Sequence, residues 1–198
     1  MAETQRIKNN IAIFDLGSNT FNFLIGELGG LAPKILCQDK RAVKFGVLSR
    51  SKDPLVIAAT LERAENTLTD FVHIAREYEC QRIIARGTAS FRDYEKSEQF
   101  IASIQEKLGF KIDQITGLQE AEHIFYGISS KVAHHIPDRV YLIMDIGGGS
   151  VEFIIGQNQE MLYKTSLPLG AILAHETILP SNPYSDKDQD AFRDWITS

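Results

Sequence analysis

One segment of this chain occurs twice. Ile11-Ala12-Ile13-Phe14-Asp15-Leu16-Gly17-Ser18-Asn19-Thr20 runs into Phe21-Asn22-Phe23-Leu24-Ile25-Gly26. Tyr141-Leu142-Ile143-Met144-Asp145-Ile146-Gly147-Gly148-Gly149-Ser150 runs into Val151-Glu152-Phe153-Ile154-Ile155-Gly156. Overlaid, Asp15 meets Asp145, Gly17 meets Gly147, Phe23 meets Phe153 and Gly26 meets Gly156. Each copy reads as a buried strand ending on an acidic residue, a tight turn of small residues, and a second strand. A duplication of this kind points to two related halves, each with a half-site facing a shared ligand.

The turns indicate the chemistry of that ligand. Glycine lacks Cβ, so its backbone can take positive φ and let a ligand come close. Successive N–H groups in such a turn form a concavity suited to an anion, usually phosphate. Gly147, Gly148, Gly149 and Ser150 are expected to cradle phosphate in this way, with Ser18, Asn19 and Thr20 doing the same in the other half. An aspartate beside that concavity repels phosphate unless a cation lies between, and Mg²⁺ suits one or two carboxylates, waters and phosphate oxygens. Asp145 and Glu152 are the expected metal pair, and Asp15 the contribution of the first half. The plainer alternatives are an Asx-type turn cap for Asp15 and an ordinary strand residue for Thr20.

The 198 residues are enough to bury a proper core, and 43% hydrophobic with 24% charged residues is an ordinary globular balance. A formal charge of −5 with no basic patch argues against a DNA partner. Cys37 and Cys80 have no metal or redox spacing and are expected to stay reduced. Met1–Asn10 is polar, without an apolar signal region, and the apolar runs are strand-sized, so no membrane association and a cytoplasmic location are expected.

Along the chain, residues 11–16, 21–28 and 34–45 read as strands. A long helix starts at Asp53-Pro54 with the stripe Leu61, Ala64, Leu68, Phe71, Ala75 and Tyr78. Then come a strand at 82–85, a helix over 95–108 stopped by Gly109, a strand at 110–115, and a helix from Thr116-Gly117 to about His134. Alternating strands and helices predict a mixed sheet with parallel members. Pro137-Asp138 is the expected junction, giving a first domain at 1–136 and a second at 137–198. The second set of strands, closing with 160–167, is followed by helices at 169–178 and 185–197. A full second repeat would carry more elements, so this half reads as the start of a domain.

Four motifs in this order resemble the Ppx/GppA phosphatases, the exopolyphosphatases and guanosine pentaphosphate phosphohydrolases. They are Asp15-Leu16-Gly17-Ser18-Asn19-Thr20, Thr88-Ala89-Ser90-Phe91-Arg92, Gly117-Leu118-Gln119-Glu120-Ala121 and Asp145-Ile146-Gly147-Gly148-Gly149-Ser150-Val151-Glu152. Ser166-Leu167-Pro168-Leu169-Gly170 is also similar to theirs. The resemblance implies an α/β fold of the actin-like (ribonuclease H-like) ATPase type, with mixed sheets flanked by helices in two domains, the second incomplete here. It implies an active site in the interdomain cleft and Mg²⁺-dependent release of terminal phosphate from a phosphoanhydride chain. Glu120 is then the general base; from the residues alone it is as readily a solvated glutamate favoured by the helix dipole. Glu122, two residues on, is expected to be solvated.

Arg92 can clamp phosphate bidentately, and Thr88 and Ser90 sit where a strand end meets a helix start, with an N-cap as the alternative for Ser90. Lys44, near where the family often has arginine, is read as a further positive charge on the third strand. Arg86 and His123 are weaker candidates.

The chain has no Gly-x-x-x-x-Gly-Lys-Ser/Thr loop, no Gly-x-Ser-x-Gly elbow and no His-Glu-x-x-His. Direct attack by water is therefore the simplest chemistry. The expected activity is exopolyphosphatase. A guanosine pentaphosphate 5′-phosphohydrolase is the rival within the same chemistry, and a non-catalytic nucleotide or alarmone-binding module is the rival outside it. A homodimer is compatible with each.

Overall fold

The computed structural model describes residues 9–30, 33–178 and 183–197. The polar segment Met1–Lys8 lies outside them. The chain forms two compact units, Met1–Gln114 and Ile115–Ser198.

The first unit is a five-stranded mixed sheet. Its strands are β1 (Asn10–Leu16), β2 (Thr20–Glu27), β3 (Lys34–Ala42), β4 (Arg82–Gly87) and β5 (Ile112–Gln114), in the order β3-β2-β1-β4-β5. β1 and β2 pair antiparallel, as do β2 and β3, whereas β1/β4 and β4/β5 are parallel. Its helices are α1 (Pro54–Glu77), the short α2 (Ala89–Asp93), at the helix start expected beside Thr88 and Ser90, and α3 (Ser97–Leu108).

α1 starts as expected: Pro54 opens it and the Asp53 carboxylate accepts from Leu55 N–H at 2.9 Å. Ala64, Leu68, Phe71 and Ala75 are buried, in one core with Ala12, Phe14 and Leu16 of β1. Tyr78, the last of the expected stripe, sits beyond the final helical residue and is partly exposed. Phe14 and Phe23 lie 5.6 and 5.0 Å from Phe71 between ring centroids, and each such pair contributes about 0.5–1.5 kcal/mol beyond its buried area. Gly109 ends α3 with φ 77°, a left-handed conformation that glycine takes without strain. Cys37 and Cys80 are free and pack against this core.

β3 ends at Ala42, earlier than expected. Lys44 takes a left-handed φ of 58° and leads into a 3₁₀ turn, Phe45–Ser49. The chain leaves the ladder there because the turn after β1 offers it two backbone acceptors, the carbonyls of Ser18 and Asn19. Lys44 is thus a loop residue, not a strand residue.

The second unit is an antiparallel sheet of β6 (Val140–Ile146), β7 (Val151–Gln157) and β8 (Glu160–Leu167), with α4 (Gly117–His135), α5 (Ala171–Thr177) and α6 (Asp186–Thr197). α4 begins on a capping box: Thr116 Oγ1 accepts from Gln119 N–H at 3.2 Å, and Gln119 Oε1 accepts from Thr116 N–H at 2.9 Å.

α4 packs on β7 and β8, where Ala121 and Phe125 share a buried cluster with Tyr141, Ile143 and Ile154. A Cβ on Gly156 would lie 2.6 Å from the Phe125 ring, so the bare backbone there is what seats α4. α4, expected in the first domain, belongs to the second compact unit, and the units divide at Gln114/Ile115. One half of the buried-strand reading of β6 does not hold. Leu142, Met144 and Ile146 are 61%, 55% and 58% exposed, whereas their counterparts Ala12, Phe14 and Leu16 are covered in the α1 core. No helix among the described residues is long and apolar enough to cross a membrane.

Candidate functional site

The duplicated turns share one design down to their hydrogen bonds. Gly17 N–H donates to Thr20 O at 3.0 Å, and Gly147 N–H to Ser150 O at 2.9 Å. Neither Gly17 nor Gly147 needs positive φ; a Cβ on either would instead press on that acceptor at 3.0–3.1 Å. Glycine serves here for close approach within the turn, and the Gly147 N–H is already committed to Ser150.

The segment after each third strand closes over one side of the turn in its own unit. In the first unit, Ser18 O accepts from Gly46 N–H, and Asn19 O accepts from both Val43 and Lys44 N–H, at 2.8–3.0 Å. In the second, Gly147 O accepts from Ala171 N–H, Gly148 O from Ile172 and Leu173 N–H, and Gly149 O from Gly170 N–H, at 2.9–3.3 Å. A trans peptide places its N–H opposite its C=O. Committing these carbonyls to α5 therefore turns the N–H groups of Gly148, Gly149 and Ser150 to the other side, a row of three donors suited to phosphate oxygens. Asn19 and Thr20 N–H are turned the same way in the first unit.

Gly170 makes this packing possible. A Cβ there would lie 2.3 Å from the Gly148 carbonyl group and 2.4 Å from the Gly149 carbonyl carbon. We expect Gly170→Ala to push α5 off the turn, lowering stability by about 1–3 kcal/mol as overpacking does, and to weaken phosphate binding with it. Urea unfolding and phosphate titration check both.

Each unit also carries a polar row across its sheet. In the second unit Asp145 pairs in register with Glu152, and Glu152 with Ser166. Directly opposed residues share a face with Cβ atoms about 4.5–5.5 Å apart, so the expected carboxylate pair is brought together. Glu152 is 1% exposed, and Ser166 Oγ donates to its Oε1 at 2.6 Å. In the first unit the row runs Lys40, Asn22, Asp15, Arg86, Asp113. Asn22 Nδ2 donates to Asp15 Oδ2 at 2.9 Å, and Arg86 is ion-paired with Asp113. Asn22, Lys40 and Ser166 do not stand out as site residues in the sequence, because only strand register reveals them, although the overlay of the two copies already sets Asn22 against Glu152.

The first half-site lies at the carboxyl ends of parallel β1 and β4, where open α/β sheets bind ligands. Thr88 N–H donates to Leu16 O at 3.2 Å, tying the start of α2 to the end of β1. Phe45 stacks on Phe91 with centroids 4.3 Å apart, fixing the Lys44 loop against the helix that carries Ser90 and Arg92. Thr88, not Ser90, is the N-cap of α2. Ser90 lies inside the helix, 2% exposed, and its Oγ has no hydrogen-bond partner among the described residues. A buried hydroxyl left in this state accords with a ligand contact. Arg92 is half-buried and Lys44 exposed.

Glu120 is half-buried in the first turn of α4. Glu122, expected to be solvated, is partly exposed and also ion-paired with Lys164 of β8, because α4 lies against that strand. His123 is exposed.

A sequence profile of the Ppx/GppA phosphatase family matches residues 24–198. The chain belongs to this family. Among curated Ppx/GppA relatives it is 26% identical to exopolyphosphatase 1 of Mycobacterium tuberculosis over 187 residues, covering 94% of this chain and 54% of that protein. It is 31% identical over 162 residues to the guanosine-5′-triphosphate,3′-diphosphate pyrophosphatase of Photobacterium profundum, covering 81% of this chain and 32% of that one. An exopolyphosphatase structure from Cytophaga hutchinsonii superposes with TM-score 0.84 at 31% identity, over 95% of this chain and 59% of that one. The chain thus spans about a third to three fifths of the Ppx/GppA proteins it matches, and its fold is the actin-like α/β fold of that family.

Proposed function

We propose that this chain carries machinery for hydrolysing a terminal phosphoanhydride bond, releasing orthophosphate from inorganic polyphosphate. The observation that carries the reading is the second unit's pairing of an outward-turned row of amides, Gly148 to Ser150, with the opposed carboxylates Asp145 and Glu152. Amides of this kind bind phosphate oxygens, and carboxylates beside them call for a cation.

The donor set fits Mg²⁺. It consists of carboxylates and a hydroxyl, and the described residues contain no cluster of three or more His, Cys, Asp or Glu side chains of the kind that encloses a metal by itself. Mg²⁺ keeps waters and shares substrate phosphates, so two carboxylates suffice. Asp145 and Glu152 would hold Mg²⁺, which would supply neutralisation of charge on the phosphate oxygens, and Asp15 is the carboxylate that the first unit would offer to the metal or its waters. Gly148, Gly149 and Ser150 bind the terminal phosphate through their amides. Ser18, Asn19 and Thr20 bind phosphate in the first unit, with Thr88, Ser90 and Lys44 as further contacts. Arg92 clamps phosphate oxygens with its guanidinium. Glu120 orients the attacking water and takes its proton, leaving the shortened chain as the leaving group. The free cysteines accord with a cytoplasmic setting.

Polyphosphate is preferred over guanosine pentaphosphate on the match to the Cytophaga hutchinsonii exopolyphosphatase over nearly the whole chain. The identity to the Photobacterium profundum pyrophosphatase keeps the nucleotide as the second reading. Offering both substrates in parallel, with Mg²⁺, decides between them. Faster orthophosphate release per active site from polyphosphate supports the first reading, and faster release from guanosine pentaphosphate replaces it with the second. Binding of either without release turns the reading to a binding module.

A further inference from the structure

We infer that Ser166 is a positioning residue for the metal pair, acting through Glu152; this rests on the reading of Asp145 and Glu152 as metal ligands.

Ser166 is the register partner of Glu152, which is in turn the register partner of Asp145, so the three form one row across β6, β7 and β8. The Glu152 side chain is almost wholly withdrawn from water, and a buried carboxylate needs donors to hold it. Ser166 Oγ supplies one at 2.6 Å, in the range of a hydroxyl bonded to a carboxylate. That bond engages Oε1, fixes the carboxylate's rotation, and gives Oε2 a defined direction.

The corresponding row in the first unit has diverged. Asn22 stands at the Glu152 position and Lys40 at the Ser166 position, and the Asn22 amide bonds directly to Asp15. Over the three corresponding strands β1, β2 and β3, the first row thus has one carboxylate with an amide and an ammonium beside it, whereas the second has two carboxylates with a hydroxyl. The hydroxyl appears where a second carboxylate has to be oriented. Four residues beyond Ser166, Gly170 docks on the glycine turn, so one short segment supports both the carboxylate and the turn. It gives a physical role to a segment, Ser166 to Gly170, whose likeness to the family carried no function of its own.

The test is Mn²⁺ binding to the substrate-free 198-residue chain, followed by electron paramagnetic resonance, with folding checked by circular dichroism. Removing a supporting partner of a metal ligand costs roughly 10–100-fold in affinity, and that is the loss expected for Ser166→Ala. Ser166→Thr keeps the hydroxyl and is expected to keep the affinity. Ser166→Cys keeps the size with a much weaker donor and is expected to follow alanine, which covers the case in which alanine perturbs folding. Glu152→Gln separates loss of a metal ligand from loss of the group that positions it. If it loses Mn²⁺ affinity while folded Ser166→Ala and Ser166→Cys do not, Ser166 has no positioning role and the metal reading stands. If Glu152→Gln binds Mn²⁺ as well as the unaltered chain, the metal reading falls and the role of Ser166 falls with it.

Discussion

Glu120→Gln is expected to lower the rate of orthophosphate release by about 10²–10⁴-fold while leaving substrate binding and folding in place. The change preserves shape and hydrogen-bonding capacity but removes the group that can take a proton from water. It lies in the first turn of α4, whose start is secured by the Thr116–Gln119 box and whose body is seated by Phe125 over Gly156. Neither support involves the Glu120 carboxylate. Loss of its favourable place at the helix N-terminus itself costs about 0.3–1 kcal/mol. The measurements are initial-rate release of orthophosphate and polyphosphate binding by filter retention. A variant that turns over as fast as the unaltered chain would remove Glu120 from the role of base. A variant that no longer binds would make it a binding residue.

Asp145→Asn is expected to raise the Mg²⁺ concentration for half-maximal release by more than the roughly 10-fold that loss of a mere supporting partner brings. Asp145 is exposed at the end of β6, so the substitution should change stability by no more than about 0.5 kcal/mol, and the effect on metal dependence can be read without a folding correction. Asparagine offers one neutral oxygen where aspartate offers a charged pair, and Glu152, buried and bonded to Ser166, cannot move out to replace it. A Mg²⁺ titration that superposes on that of the unaltered chain would contradict the assignment of Asp145.

Much of the architecture is legible in the residues because it rests on local rules. The duplicated strand–turn–strand segments appear as β1–β2 and β6–β7, Asp53-Pro54 starts α1, Gly109 stops α3, and the alternation of elements gives the mixed sheet. The features that are not legible depend on partners distant in sequence. Lys44 reads as a strand residue because its neighbours alternate, but the carbonyls of Ser18 and Asn19 draw that segment out of the ladder. Glu122 reads as solvated because helical spacing separates it from Glu120, but spacing does not reveal Lys164 on β8.

The candidate site divides in the same way. Its aspartates and turns show in the sequence, since each half repeats them. The supporting residues do not: Asn22 on Asp15, Ser166 on Glu152 and Gly170 under the glycine turn are set by register and backbone approach. The glycines of the turns are expected from sequence to supply positive φ. Gly17 and Gly147, also expected to let a ligand come close, instead supply the absence of a side chain where two backbone groups of the turn meet, and Gly170, outside the turns, does so beneath the second one.

The decisive measurement is orthophosphate release from long-chain polyphosphate in ¹⁸O-water, with and without Mg²⁺, by the unaltered chain and by Glu120→Gln. The expected result is Mg²⁺-dependent release by the unaltered chain, one solvent oxygen in each orthophosphate released, none in the shortened chain, and release nearly abolished in the variant. Solvent oxygen in the shortened chain, equal release by Glu120→Gln, or tight binding of polyphosphate with no release would contradict it.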